Sequence, residues 1–204
     1  MQNELVAVNI LAEDSLCEAL AKKLLSLNNT KYSIGVSYIG HGYGYIKEKL
    51  VGFNKAAKGV PILALSDLVG NCAPDQIREW LPHGQHANLV FRIAEKESEA
   101  WILADSEGVG SFLGVSKKLI PDDVDNIIDP KLFLINLTRK SRNRSLRESL
   151  IPRVNSTATI GPNYNPTLTY FVENIWNPCK GGLHSPSLNR AIQALKVYNP
   201  IIDN

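Results

Sequence analysis

Apolar residues cluster along the chain in two rhythms. Residues 5–12, Leu-Val-Ala-Val-Asn-Ile-Leu-Ala, are almost unbroken and partly β-branched, which predicts a strand covered on both faces of a parallel sheet. Ser15 and Glu18 then have capping-box spacing. Leu16, Ala19, Leu20 and Leu24 recur at helical spacing to about Leu27. Tyr32–Ile39 reads as a second strand, Gly40–Tyr45 as a loop, and 46–57 as a helix with Ile46, Leu50, Phe53 and Ala57 on one face. Gly59 and Pro61 are stop signals before a third strand over Val60–Ser66. Pro74–Leu81 predicts a short helix, Leu89–Ala94 a fourth strand, and the spacing of Ala100, Leu103 and Ala104 a helix from Glu95 or Lys96. Strands alternating with helices predict an α/β core with a mostly parallel, doubly wound sheet.

The rhythm changes after residue 115. Ile120-Pro-Asp-Asp and Asp129-Pro-Lys are punctuation, and helices are predicted at 130–142, 145–150, 166–176 and 186–198. Residues 157–165 read as a loop. Asn165-Pro166 and Ser185-Pro186 each pair a cap residue with a first-turn proline. The organisation expected is an α/β core over 1–115 and a mainly helical extension over 116–204 packed on it.

Composition narrows the function classes. The chain has 204 residues, 44% hydrophobic and 21% charged, which is ordinary globular composition. A net charge of +2 does not by itself demand a nucleic-acid partner. Cys17, Cys72 and Cys179 are far apart and odd in number, which argues for a reducing compartment and against a structural zinc site. The opening Met-Gln-Asn-Glu has no basic region ahead of its apolar run, so neither a signal peptide nor a membrane span is expected, and a cytoplasmic location is. The four histidines show no zinc spacing, and no serine sits in a nucleophile elbow.

The candidate chemistry lies where apolar runs end on acids. Glu13 follows the first strand and Asp67 the third. Ligands collect at the carboxyl ends of strands in open α/β sheets, and carboxylates gathered there need a cation or a proton between them. Mg²⁺ or Mn²⁺ would suit, because such an ion keeps its waters and needs only one or two protein carboxylates. The plainer account is that Glu13 and Asp14 complement a helix N-terminus and that Asp67 opens a turn. Glu95, Glu97, Glu99 and Asp105 form a second acidic group. It reads either as a solvated helix start or as a source of further ligands, with Arg92 able to neutralise one of them. Arg139, Lys140, Arg142, Arg144 and Arg147 make the one dense basic run, suited to a phosphate backbone or to a plain solvated helix face. The three alternate glycines of Gly40–Tyr45 match neither the dinucleotide fingerprint nor the P-loop.

An acid after the first strand and an aspartate after a later one resemble the Toprim fold of topoisomerases, primases, recombination mediators and overcoming-lysogenization-defect nucleases. Ala12-Glu-Asp-Ser-Leu-Cys-Glu-Ala19, Leu65-Ser-Asp-Leu68 and the run from Phe91 to Asp105 resemble a Toprim-like group of bacterial conserved proteins of unknown function. Ile160–Asn165 and Ser185–Arg190 are similar to that group too. The resemblance implies a general acid/base glutamate, matched by Glu13, and a metal-binding Asp-x-Asp pair matched only at Asp67, because Val69 fills the third position. Asp14 stands where a glycine commonly follows the glutamate.

Two functions follow as expectations. One is a Mg²⁺- or Mn²⁺-dependent nuclease with Glu13 catalytic, and with Asp67 joined by Glu97 or Glu99 at the metal. In it, Arg92, Arg139, Lys140, Arg142 and Arg144 position nucleic acid. The other is a catalytically degenerate subunit partnering an ATPase or nucleic acid, and the resemblance makes a place in phage defence conceivable for either. A third reading is a nucleotide or RNA end held by the glycine loop and Arg142.

Overall fold

A computed structural model describes residues 5–201, so the opening Met1–Glu4 stretch lies outside the described residues. The fold is α/β, with one all-parallel sheet of four strands, helices on both faces, and a helical C-terminal half. The strands are β1 (Val6–Ala12), β2 (Tyr32–Ile39), β3 (Ile62–Asp67) and β4 (Leu89–Ala94), in the order β2-β1-β3-β4. The helices of the first half are α1 (Ser15–Ser26), α2 (Tyr43–Ala56), α3 (Ala73–Trp80), α4 (Ser98–Ala104) and α5 (Ser106–Leu113). Those of the second half are α6 (Pro130–Arg139), α7 (Arg144–Leu150), α8 (Tyr164–Asn174), α9 (Pro178–Gly181) and α10 (Pro186–Val197).

Alternation along each strand sorts the core into two layers. Val8, Ile10, Ala12, Leu63, Leu65 and Val90 point to the side of α1, where Leu20, Leu24, Phe171 and Leu188 join them in one apolar cluster. Leu11, Ile62, Ala64, Phe91 and Ile93 point the other way, onto Ile46 and Leu50 of α2 and Trp80 of α3. Both faces are therefore covered, which is why the strands read as continuous apolar runs. The first cluster also takes in Leu134, Leu150 and Tyr164, so helices of the second half share a core with β1 and α1.

Several boundaries differ from the sequence reading, each for a local reason. The N-cap of α1 is Asp14, not Ser15. Its backbone is extended, and its Oδ1 accepts the Cys17 N–H at 2.9 Å. Glu18 is thereby free to pair with Lys22. Strand β3 begins only after Pro61, which has no N–H to give a ladder, and runs on through Asp67. The glycine loop is shorter than expected. Gly42, with φ of 94°, turns the chain directly into α2 at Tyr43. The N–H groups of Gly40 and Gly42 are spent on the carbonyls of Ala12 and Glu13, which leaves the loop fewer donors for a phosphate. Helix α8 starts at Tyr164, ahead of the expected Asn165-Pro166 cap, whereas Ser185 caps α10 as its sequence predicts. Helices α5 and α9 were not legible: glycines interrupt the first, and the second is a single turn.

Candidate functional site: a carboxylate cleft at the strand ends

Strands β1 and β3 are hydrogen-bonded neighbours, with Ala12 opposite Leu65. That register brings the residues after each strand together. Glu13 Oε1 accepts the Asp67 N–H at 2.9 Å and the hydroxyl of Ser66, and Glu13 is itself buried. Asp67 Oδ1 accepts the Ser98 N–H at 2.8 Å and the Ser98 hydroxyl at 2.5 Å. Glu13 and Asp67, fifty-four positions apart, thus share one address. They line an open cleft of about 710 Å³ with Glu97, Asp129, Tyr43 and Asn71.

The crossing from β4 to α4 sets this geometry. Lys96 has φ of 67°, a left-handed conformation that costs a lysine energy and that turns the chain sharply out of β4. The three glutamates around it consequently part company, on neither a helical nor an extended pattern. Glu95 pairs with Arg190 of α10. Glu97 lines the cleft, and its carboxylate accepts the Lys131 N–H at 2.9 Å and lies 3.6 Å from Lys131 Nζ. Glu99 is 2% exposed, accepts the Tyr164 hydroxyl at 2.9 Å, and lies 3.7 Å from Lys131 Nζ. Asp105 is a structural acid: it caps α5 and accepts the Asn177 N–H at 2.8 Å.

Electrostatics follow from burial and crowding. Burial pushes the Asp67 carboxyl up to about 8; the Ser98 bond opposes this, while Glu13 and Glu99 add to it. Burial also raises Glu13, against the bonds from Ser66 and Asp67. Glu99 is raised by burial too, with Lys131 opposing and Glu97 adding. Burial works against the charge of Lys131, yet Glu99, Glu97, Asp67 and Asp14 together hold its pKa above the ordinary lysine value. Cys17 lies 3.1 Å from the Ser98 hydroxyl, and burial with the nearby Asp67 and Asp14 keeps its thiol protonated. It is no nucleophile.

The donor set restricts what ion could sit here. Among the described residues, no group of three or more His, Cys, Asp or Glu side chains is arranged to hold a metal. Val69 is exposed at the cleft and brings no oxygen. Glu13 and Asp67 are brought side by side at the strand ends, and so sparse a donor set suits an ion that keeps most of its waters. Of the two further candidates, Glu97 lines the cleft and Glu99 is committed to Tyr164 and Lys131.

The basic residues are elsewhere. Arg139 and Lys140 end α6, and Arg142 and Arg144 follow in the turn and first residue of α7. All are exposed, and Arg144 pairs with Glu148. Arg139 is about 14 Å along α6 from Pro130, which adjoins the cleft. Among the described residues Arg92 pairs with no glutamate. Arg190 pairs with Glu95 instead, and the sequence offers no local signal for it. Lys131, Ser98 and Tyr164 were missed for the same reason: each reaches the cluster through the fold.

No helix among the described residues is long and apolar enough to cross a membrane. No family model matches the chain, and searches against curated proteins and solved structures return no match.

Proposed function

We propose that the cleft holds a hydrated Mg²⁺ or Mn²⁺ on Asp67, with Glu97 at the same cleft and Glu13 beside it as the proton-carrying group, and cleaves phosphodiester bonds of nucleic acid, in the manner of a Toprim-type nuclease. The observation that carries this reading is the meeting of Glu13 and Asp67 in an open cleft at the carboxyl ends of adjacent parallel strands. An Asp67 carboxyl at about 8 is an acid waiting for a cation, because a bound ion would favour its charged form. The parallel sheet with a glutamate after β1 and an aspartate closing β3 is consistent with the Toprim resemblance.

The ion would polarise a phosphoryl oxygen. Glu13, with its raised pKa and its carboxyl fixed by Ser66 and the Asp67 N–H, is placed to hold and move a proton as general acid/base. Glu97 and Glu99 anchor Lys131, and its ammonium limits the repulsion within the cluster. Arg139, Lys140, Arg142 and Arg144 would meet the phosphate backbone farther along the strand.

The test is cleavage of single- and double-stranded DNA and RNA with Mn²⁺. Glu13→Gln keeps an acceptor for Ser66 and Asp67, so it should fold normally and lose ~100-fold or more of the rate. Equal cleavage by the variant and the wild type would overturn the role of Glu13.

A second reading is a catalytically degenerate subunit that binds an ATPase or nucleic acid. Val69 favours it, as does Lys131, a cation already built into the acid cluster. Calorimetry separates the two readings. Heat on Mn²⁺ addition that Asp67→Asn abolishes supports the enzyme, and silence at millimolar Mn²⁺ supports the subunit.

A further inference from the structure

A second concave site lies on the outer edge of the sheet, between α3 and α10. Strand β4 is an edge strand, and beside it is a pocket of about 450 Å³, within the size range of small-molecule sites. Ala73, Pro74 and Ile77 of α3 make its apolar wall, backed by the buried Phe91 and Ile93. Behind that wall Phe91 stacks on Trp80 in the core, with ring centroids 5.9 Å apart. Two cations line the same pocket, Arg92 from β4 and Arg190 from α10.

Arg92 is anomalous. Its Nε is buried and has no hydrogen-bond partner among the described residues. The charged neighbour that acts on it is another cation, Arg190, and burial and that neighbour both depress its pKa. A guanidinium is never neutral in practice, so a buried N–H of this kind is costly unless something satisfies it. Glu95 is the acid of the pocket, and it is taken by Arg190. The site therefore has surplus positive charge, a fork of donors and an apolar wall.

We propose that this pocket binds a small organic anion, a phosphate monoester or a carboxylate carried on an apolar body, with its charged head on Arg92 and Arg190 and its body against Pro74 and Ile77 of α3. Guanidinium forks match both head groups bidentately. Arg92 is the anchor, and Arg190 is shared between the ligand and Glu95. The site is independent of the cation reading of the acidic cleft.

The experiment uses the full chain in EDTA, so that no metal-bridged phosphate can form in the cleft. Inorganic phosphate, phenyl phosphate and benzoate are titrated by calorimetry and by thermal shift. Phenyl phosphate or benzoate should bind at least ~10-fold more tightly than inorganic phosphate, through the apolar wall. Whichever of the two binds better assigns the head group as phosphate or carboxylate. Arg92→Met should weaken that binding ~10-fold or more while raising the melting temperature of the ligand-free protein, because it removes a buried N–H that has no partner. Glu95→Gln should tighten binding by releasing Arg190. Absence of binding by every probe would overturn the proposal, as would binding untouched by Arg92→Met. A lower melting temperature for ligand-free Arg92→Met would mark Arg92 as purely structural and would also overturn it. So would an oligonucleotide whose affinity depends on Arg92 while phenyl phosphate and benzoate stay silent.

Discussion

The acidic cleft and the basic run of α6 and α7 are opposites in sequence and in space. Glu13, Asp67, Glu99 and Lys131 are scattered over the chain and converge on one wired cluster. Arg139, Lys140, Arg142 and Arg144 are packed into six positions and spread over exposed surface. Density along the chain thus marks a solvated face, and convergence across it marks a site. The cause is solvent. In the cleft each charge loses water and must be answered by a bond or a counter-charge, so positions become specific. Over Arg139–Arg144 the charges stay exposed to water, and the pair Arg144 makes with Glu148 is a surface pair that fixes little.

The difference can be tested by breaking each side in turn. The largest effect is expected from Glu99→Ala, which strands the buried Tyr164 hydroxyl and removes a partner of Lys131. It should cost ~3 kcal/mol in urea unfolding at pH 7, and Glu99→Gln, which keeps an acceptor, markedly less. A cost for Glu99→Ala as small as that of a surface change would mean the cluster is not wired as described.

The next effect is in pH. Burial holds the folded Asp67 carboxyl at about 8 against the ordinary 3.8 of an aspartate in the unfolded chain. Between those values the folded form holds a proton that the unfolded chain has lost. The stability this supplies is complete below the unfolded value and disappears as pH rises through 8. From pH 6 to 9 the wild type should lose ~2 kcal/mol that Asp67→Asn does not lose. Mn²⁺ should flatten the wild-type decline by stabilising the ionised form. Parallel pH profiles for wild type and variant would remove Asp67 from the account.

The smallest effect should come from the other region. Arg139→Ala with Arg142→Ala should leave the urea midpoint where it was, and should lower nucleic-acid affinity together with its salt dependence if the run contacts phosphates. A stability loss comparable to that of Glu99→Ala would erase the contrast between the two regions.

Much of the fold was readable because strands and helices are local patterns. The runs at Val6–Ala12, Ile62–Asp67 and Leu89–Ala94 could hardly be anything but buried strands, and Ser185-Pro186 announced α10. The left-handed Lys96 had no such announcement, and it decides where Glu95, Glu97 and Glu99 go. Glu13 and Asp67 were legible as candidates since each ends an apolar run. Ser98, Lys131 and Tyr164 were not, because nothing near them in the chain says what they will face.

The residues alone determined which segments become strands of a parallel sheet, which acids stand at the strand ends, and that position 69 carries no ligand. The tertiary structure decided which charges meet. Strand order set β1 beside β3, α6 delivered Lys131, α8 delivered Tyr164, and α10 gave Arg190 to Glu95 while Arg92 kept an unanswered Nε. Periodicity is a property of neighbours along a chain, whereas burial, and with it the energy of every charge, belongs to neighbours in space.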